Sequence, residues 1–217
     1  MILYDYVLSP DCYKVRLLAA LTGANITLRP VDFHPGAEHR KPEFLMLNPA
    51  GTIPVMQDGG LILTDSSAIL TYVAAKAGPE WLGDDDAVMR ARVAQWLAFA
   101  QRLSASIGKA RTHDMLQKPA DIDACRAAGI QCLREIEESL VEQGLRDAHF
   151  LAGNRPTLAD IACFPHAMLA PDGGISVDPY PSIRLWTRRL RALPGFIEMP
   201  GIHRLHDLKP EPTGKGE

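Results

Sequence analysis

Residues 53–70 read Ile53-Pro54-Val55-Met56-Gln57-Asp58-Gly59-Gly60-Leu61-Ile62-Leu63-Thr64-Asp65-Ser66-Ser67-Ala68-Ile69-Leu70, and this stretch decides the fold. Two short apolar runs, Ile53-Pro54-Val55-Met56 and Leu61-Ile62-Leu63, flank Gln57-Asp58-Gly59-Gly60, which is a strong signal for a β-hairpin. Asp65-Ser66-Ser67 then marks the start of a helix over residues 66–77, with Ser66 as a natural N-cap. Ile69, Leu70, Val73 and Ala74 recur on one face of that helix. A hairpin followed directly by such a helix belongs to a small mixed sheet with helices packed against it.

The preceding residues supply the other half of that sheet. Residues 2–7 read as a strand, residues 11–21 as a helix ending at Gly23, and residues 26–31 as a second strand. A strand–helix–strand unit requires parallel pairing and a right-handed crossover. The order is therefore βαβ, a polar loop, then ββα. Beyond Gly78-Pro79 and the acidic Asp84-Asp85-Asp86, strand-like runs disappear. Residues 87–112, 122–144, 157–169 and 181–193 are helical in pattern, separated by proline and glycine. The expected organisation is an α/β domain over 1–77, a linker over 78–86, an all-helical domain over 87–208 and a flexible, Pro- and Gly-containing tail over 209–217.

Composition narrows the function classes. With 217 residues, 47% hydrophobic and 23% charged, the chain can bury a substantial core as one or two domains. A net charge of −3 gives no global attraction to nucleic acid or to an anionic membrane. No apolar run approaches the roughly 20 residues that span a bilayer, and the N-terminus lacks a basic segment leading into an apolar one; a cytoplasmic location is expected. Cys12, Cys125, Cys132 and Cys163 have neither CxxC nor CxxH spacing, so neither a metal site nor a disulfide framework is indicated.

Three stretches carry chemistry. Leu8-Ser9-Pro10-Asp11-Cys12-Tyr13-Lys14-Val15-Arg16 places a hydroxyl and a thiol three residues apart at a helix start, with Pro10 suited to the first helical position. Cys12 shares a face with Val15 and Ala19, which favours the core; exposed, it would be a reactive thiol. In Asn48-Pro49-Ala50-Gly51-Thr52-Ile53-Pro54-Val55, a bend at Pro54, where a cis bond fits, turns the Ile53 amide and carbonyl toward a ligand that pairs by its backbone. The amides at the start of the next helix suit a carboxylate, and Asp65 suits an ammonium, so an amino-acid end would fit there. His39-Arg40-Lys41 is a short basic loop nearby, by itself a solvated surface.

Taken in order and spacing, LSPDCYKVR, HRKPEF, NPAGTIPV, QDGG, DSSAIL, LAGNRPTLADIA and YPSIRLWTRRLRALPGF resemble the soluble glutathione transferase family over roughly residues 1–205, as a serine-type bacterial member. The resemblance implies a thioredoxin-like N-terminal domain that binds glutathione, a helical C-terminal domain that walls a pocket for a hydrophobic electrophile, and a homodimer. By position it implies that Ser9 activates the glutathione thiol. His39, Arg40 and Lys41 fall where the glycine carboxylate is contacted, Thr52 and Ile53 along the cysteinyl backbone with Pro54 as the cis proline, and Asp65 and Ser66 at the γ-glutamyl end. The electrophile would rest on Leu103, Ser106, Ile107 and Ala110, opposite Leu8 and Tyr13, with Arg111 either favouring an anionic substrate or solvated. Thr157 and Asp160 have the form of a capping box with an aspartate in place of Glu or Gln, a structural role.

The implied chemistry is within reach of these groups. A thiol of pKa near 8.5 is only a few per cent thiolate at pH 7, and lowering it by about two units requires roughly 2.7 kcal/mol. One hydrogen bond to a charged group contributes about 1.5–3 kcal/mol and a helix N-terminus about 0.3–1 kcal/mol. A serine hydroxyl at a helix start therefore suffices, with no metal. Other readings stay open: Cys12-dependent thiol transfer, deglutathionylation or peroxidase activity; activation by Tyr4 or Tyr6, both expected within the first strand; and a noncatalytic binding protein. Asp11 opposes thiolate formation unless its carboxylate faces solvent or a basic partner.

Overall fold

The structure is a computed structural model in which residues 1–83 and 86–199 are described. The expectation of a flexible tail over 209–217 lies outside the described residues. Strands β1 (Ile2–Asp5), β2 (Thr27–Pro30), β3 (Val55–Asp58) and β4 (Leu61–Leu63) form one sheet in the order β2-β1-β3-β4. β1 and β2 pair in parallel with Ile2 opposite Thr27, whereas β3 runs antiparallel to β1 with Met56 opposite Leu3, and β4 antiparallel to β3. The hairpin turns on Gly59-Gly60 alone, with Gly59 at φ 58° in the left-handed region that glycine adopts at no steric cost.

Helix α1 (Pro10–Thr22) makes the crossover between β1 and β2, and its C-cap Gly23 sits at φ 68°. β1 is shorter than expected, ending at Asp5, because the Ser9 amide turns back to donate to the Tyr6 carbonyl at 2.9 Å. One element is additional to the expected order: α2 (Pro42–Leu47) lies in the stretch expected to be a loop. Six residues are too few for an autonomous helix. α2 is fastened by Phe44, buried with Val31 and Val55 in a small satellite core. Helix α3 (Ser66–Ala77) follows the hairpin and buries Ile69, Leu70, Val73 and Ala74.

The remainder is helical. α4 (Ala87–Leu103) continues through a π-helical segment, Ser104–Gly108, into α5 (Lys109–Leu116), where Gln117 at φ 52° ends it. α6 (Ile122–Gly144), α7 (Leu158–Met168) and α8 (Pro181–Arg191) complete the chain as described. The chain thus has a thioredoxin-like mixed sheet with its helices, followed by a helical half. Every residue of α7 is buried, and one apolar core runs from Leu3, Val15 and Leu18 of the sheet half to Leu103, Ile161 and Trp186 of the helical half. No described helix is long and apolar enough to cross a membrane.

Asp160 anchors α7. Its carboxylate accepts the Thr157 amide at 2.8 Å and hydroxyl at 3.3 Å, the Leu151 amide at 3.0 Å and the Trp186 indole N–H at 2.8 Å. Thr157 in turn caps α7 by accepting from Ala159 at 3.3 Å. Burial pushes the Asp160 carboxyl up to about 6, with the donors pulling it back. Asp160→Ala would strand three buried N–H groups, each costing about 1–3 kcal/mol unpaired. The expected loss is at least ~3 kcal/mol, or roughly 6–12 °C in Tm. Scanning calorimetry checks it, and a shift within the range of a neutral surface substitution would show that α7 is anchored elsewhere.

Candidate active site

A cleft of about 440 Å³ opens between the sheet half and the α4–α5 wall. One side is made by Tyr6, Leu8, Ser9, Pro10 and Asp11 at the start of α1, by Phe33, His39 and Arg40, and by Gly51, Thr52 and Ile53 before β3. The other side is made by Gln101, Ser104, Ala105, Gly108, Lys109, Arg111, Thr112, Leu116, Lys118 and His166.

Ser9 is the N-cap of α1, and its Oγ accepts the Cys12 amide at 3.2 Å. Accepting that bond uses one lone pair and leaves the hydroxyl proton available for donation. The oxygen is fixed from behind while the O–H can be directed at an anion. Cys12 is fully buried, and burial pushes its thiol up to about 12, so it carries no thiolate near neutrality.

Asp11, one residue into the first turn, is met from below. Lys14 Nζ lies 2.5 Å from its Oδ1 and is itself only 1% exposed. His166 Nε2 approaches Oδ1 at 3.5 Å, and the hydroxyls of Ser66 and Ser104 donate at 3.4 Å to Oδ1 and Oδ2. Burial alone would raise the Asp11 carboxyl; the Lys14 ammonium and His166 outweigh it and hold the group well below the usual carboxylate range. The ion pair cancels the charge that Asp11 alone would present to a sulfur anion above Ser9.

The loop before β3 is fixed by Asn48, whose side-chain amide donates to the Thr52 carbonyl at 2.8 Å and hydroxyl at 2.9 Å. Gly51 has φ +59°, and a Cβ there would come within 2.9 Å of the His39 carbonyl, so glycine lets the two loops touch. The Ile53–Pro54 bond is cis. His39 is 5% exposed and stacks on Phe33 with ring centroids 4.1 Å apart, and its Nδ1 has no hydrogen-bond partner among the described residues. Burial, then Arg40 and Lys118, keep its pKa below the ordinary histidine value, so Arg40 supplies the permanent positive charge at this end.

At the other end Asp65, not Ser66, is the N-cap of α3: its Oδ1 accepts the Ser67 and Ala68 amides at 2.9 and 3.0 Å. The second oxygen accepts from Gln101 of α4 at 3.3 Å. Ser66 is the first helical residue and reaches Asp11. A helix N-terminus with an acid oxygen beside it suits the zwitterionic end of an amino acid.

The family models of the glutathione S-transferase N-terminal and C-terminal domains match residues 1–75 and 96–194. The chain belongs to the glutathione S-transferase family. It is 31% identical over 198 residues to a maleylacetoacetate isomerase of Pseudomonas aeruginosa, covering 90% of this chain and 93% of that one. A crystal structure of a possible glutathione S-transferase from Rhodopseudomonas palustris matches with a TM-score of 0.81 and 30% identity, over 96% of this chain and 98% of that one. A glutathione transferase homologue from Drosophila mojavensis, solved with bound glutathione, matches with a TM-score of 0.76 and 26% identity, over 89% and 88% of the two chains.

Within this glutathione S-transferase chain, Ser9, His39, Arg40, Thr52, Ile53, Leu8 and Arg111 come together at the cleft. Other expected residues do not line it. Lys41 faces a separate groove with Glu38 and Glu43, and Pro54 is buried behind the loop. Asp65 and Ser66 stand one contact away, joined to the cleft through Gln101 and Asp11. Leu103, Ser106, Ile107 and Ala110 are a correction: all are buried, on the face of α4–α5 that enters the core. Tyr13 is another, 1% exposed, with its hydroxyl donating to the Ile197 carbonyl at 2.6 Å. Arg111 is buried rather than solvated, although it lines the cleft; it holds Asp172 at 3.0 Å and the Leu8 carbonyl at 3.0 Å. Tyr6 lies beyond β1, not within it, and its ring packs 5.3 Å from Phe33; Tyr4 faces Gln57. Gln101, Ser104, Lys109, Lys118 and His166 also line the cleft and belong to none of the motifs that carry the sequence resemblance.

His166 supplies a pH test. Burial, followed by Lys14, keeps its pKa below the ordinary 6.5, so the native ring stays neutral where the unfolded one takes a proton. Its contribution to stability is present above about pH 6.5 and lost as pH falls toward the native value. The stability difference between the wild type and His166→Gln should narrow on going from about pH 7.5 to about 5.5. Urea unfolding at each pH measures it, and a constant difference would mean that the native ring titrates normally.

Proposed function

We propose that the chain is a cytoplasmic, homodimeric glutathione transferase that joins the thiolate of glutathione to a small electrophile. The observation that carries this reading is Ser9: a hydroxyl whose oxygen is held by the first-turn amide of α1, at the floor of a cleft between a backbone edge at Thr52–Ile53 and a helical wall. Glutathione lies extended across that edge. Its γ-glutamyl end meets the start of α3 with Asp65, Ser66 and Gln101, and its cysteinyl backbone runs along Thr52–Ile53. The glycyl carboxylate reaches Arg40 and the neutral His39. The sulfur sits above Ser9.

Ser9 donates its hydroxyl proton in a hydrogen bond to the thiolate and transfers nothing. The thiol proton leaves to solvent; the sulfur then forms a bond to carbon as a leaving group departs, or as a double bond takes up the electron pair and later a proton. Proximity contributes the remainder of the acceleration. Two observations support this over thiol transfer by Cys12: that sulfur is fully buried, and its thiol is pushed up to about 12. Among the described residues no cluster of His, Cys, Asp and Glu forms a metal site. Met46, 82% exposed, and the edge residue Ile62, 42% exposed, offer apolar surface for the second subunit.

A second reading has one specific support, the relative named as an isomerase. Thiolate addition to a conjugated double bond, rotation and expulsion of the thiolate would isomerise the substrate from the same Ser9-held sulfur. Net consumption of glutathione separates the two outcomes.

Ser9→Ala should lower kcat with a halonitroarene by roughly 10–150-fold while glutathione affinity changes little, because the hydroxyl bond strengthens with charge on sulfur. Steady-state kinetics, together with the bound-thiol titration followed by thiolate absorbance, test this. Unchanged turnover with an unchanged thiol pKa would refute the assignment. Cys12→Ala should retain turnover.

A further inference from the structure

The helical wall of the cleft contains cations that the glutathione contacts leave unused. Lys109, the first residue of α5, lines the cleft and is exposed. Lys118 follows the turn at Gln117, where its carbonyl meets His113 Nδ1 at 2.9 Å, and its Nζ projects over the Phe33 ring at 4.5 Å from the centroid. The carboxylates around this wall are already engaged: Asp11 with Lys14, Asp172 with Arg111, and Asp114 with Arg126. Among the described residues neither Lys109 nor Lys118 has a carboxylate partner. In a chain of net charge −3, this positive surplus is local to the cleft.

We propose that Lys109 and Lys118 form an anion subsite that selects electrophiles bearing a carboxylate or similar negative group. The inference rests on the transferase reading above. Lys118 stands over Phe33, whose ring stacks on His39, and Lys109 lines the same cleft from the start of α5; with the glycyl carboxylate assigned to Arg40 and the γ-glutamyl charges to α3, these two ammonium groups are left to a negative group on the second substrate. Phe33, Ala105 and Leu116 line the same cleft and offer apolar surface to the body of such a molecule, with its charged end toward the lysines. Charges in a cleft with low-dielectric walls act over longer distances than on an open surface. The subsite therefore favours an electrophile that is apolar at its reacting end and anionic at the other.

The test uses the full-length protein and a matched pair of conjugates, S-(4-carboxybenzyl)glutathione and its uncharged amide counterpart, S-(4-carbamoylbenzyl)glutathione, titrated by calorimetry at low and high salt. Alongside, turnover of 4-(chloromethyl)benzoate and 4-(chloromethyl)benzamide is measured, each divided by its uncatalysed rate. The acid conjugate should bind about tenfold tighter than the amide at low salt, and the preference should shrink at high salt. It should fall toward parity in the K109Q/K118Q double variant. Equal affinities in the wild type, or a preference that survives the double substitution, overturns the subsite. Discrimination in binding without turnover of either electrophile supports the subsite and defeats the transferase reading; failure of both conjugates to bind overturns both.

Discussion

The ion pair between half-buried Asp11 and buried Lys14 is the interaction on which the site depends. An acid in the first turn of α1 is favourable toward the helix dipole, yet an uncompensated one beside Ser9 would repel the sulfur anion that the proposed reaction places there. Lys14 resolves the conflict from one turn along the same helix. The Lys14 ammonium, 1% exposed, could not be buried alone, since an unpaired ion in the interior costs several kcal/mol. Once paired, the two groups draw in Ser66 from α3, Ser104 from the π-helical segment and His166 from α7. The start of α1 is thereby fixed to both halves of the chain through one carboxylate.

The sheet half was legible in the sequence because its signals are local. A hairpin turn, a proline before a strand, a helix cap and a terminating glycine each act over a few residues, and their order is enough to build βαβ-ββα. The errors there are local too. Asp65 and Ser66 are both good caps, and the tie is decided by the contacts of α3 with Gln101 and Asp11, which local sequence does not contain. α2 went unread because its six residues are stabilised by Phe44 packing against distant Val31 and Val55. The role of Lys14 was invisible for the same reason: nothing in the spacing says that a lysine will be 1% exposed.

The helical wall presents to the cleft the face opposite the apolar one that the sequence suggests. An electrophile pocket is expected to be apolar, so the apolar positions Leu103, Ile107 and Ala110 were natural choices. Those positions form the stripe that an amphipathic helix buries in its own core. What an α4–α5 helix presents to an open cleft is the complementary stripe, here Gln101, Ser104, Gly108, Lys109 and Thr112. Tyr13 fails by the same logic: three residues beyond the first residue of α1, it already points into the core against Phe164.

This partition has a consequence for how the cleft discriminates. The resemblance implies a hydrophobic wall from the helical half and polar contacts from the sheet half. The structure divides the work differently, because the helical half has given its apolar face to the core that joins the two halves. Tyr6, Phe33 and Leu8, from loops of the sheet half, supply much of the apolar surface near Ser9, and the helices supply hydroxyls, an amide and ammonium groups. Apolar contact is permissive, since one methylene more or less changes binding only modestly. Charge and hydrogen bonding reject mismatched partners more strongly, because they leave buried polar groups unpaired. In the transferase proposed above, selectivity would reside on the α4–α5 wall and sulfur activation at the start of α1. The two are joined at Asp11, which Ser104 and His166 reach from the helical half, and at the Leu8 carbonyl, which accepts from Arg111, so a change in the wall is felt at the start of α1 through these contacts.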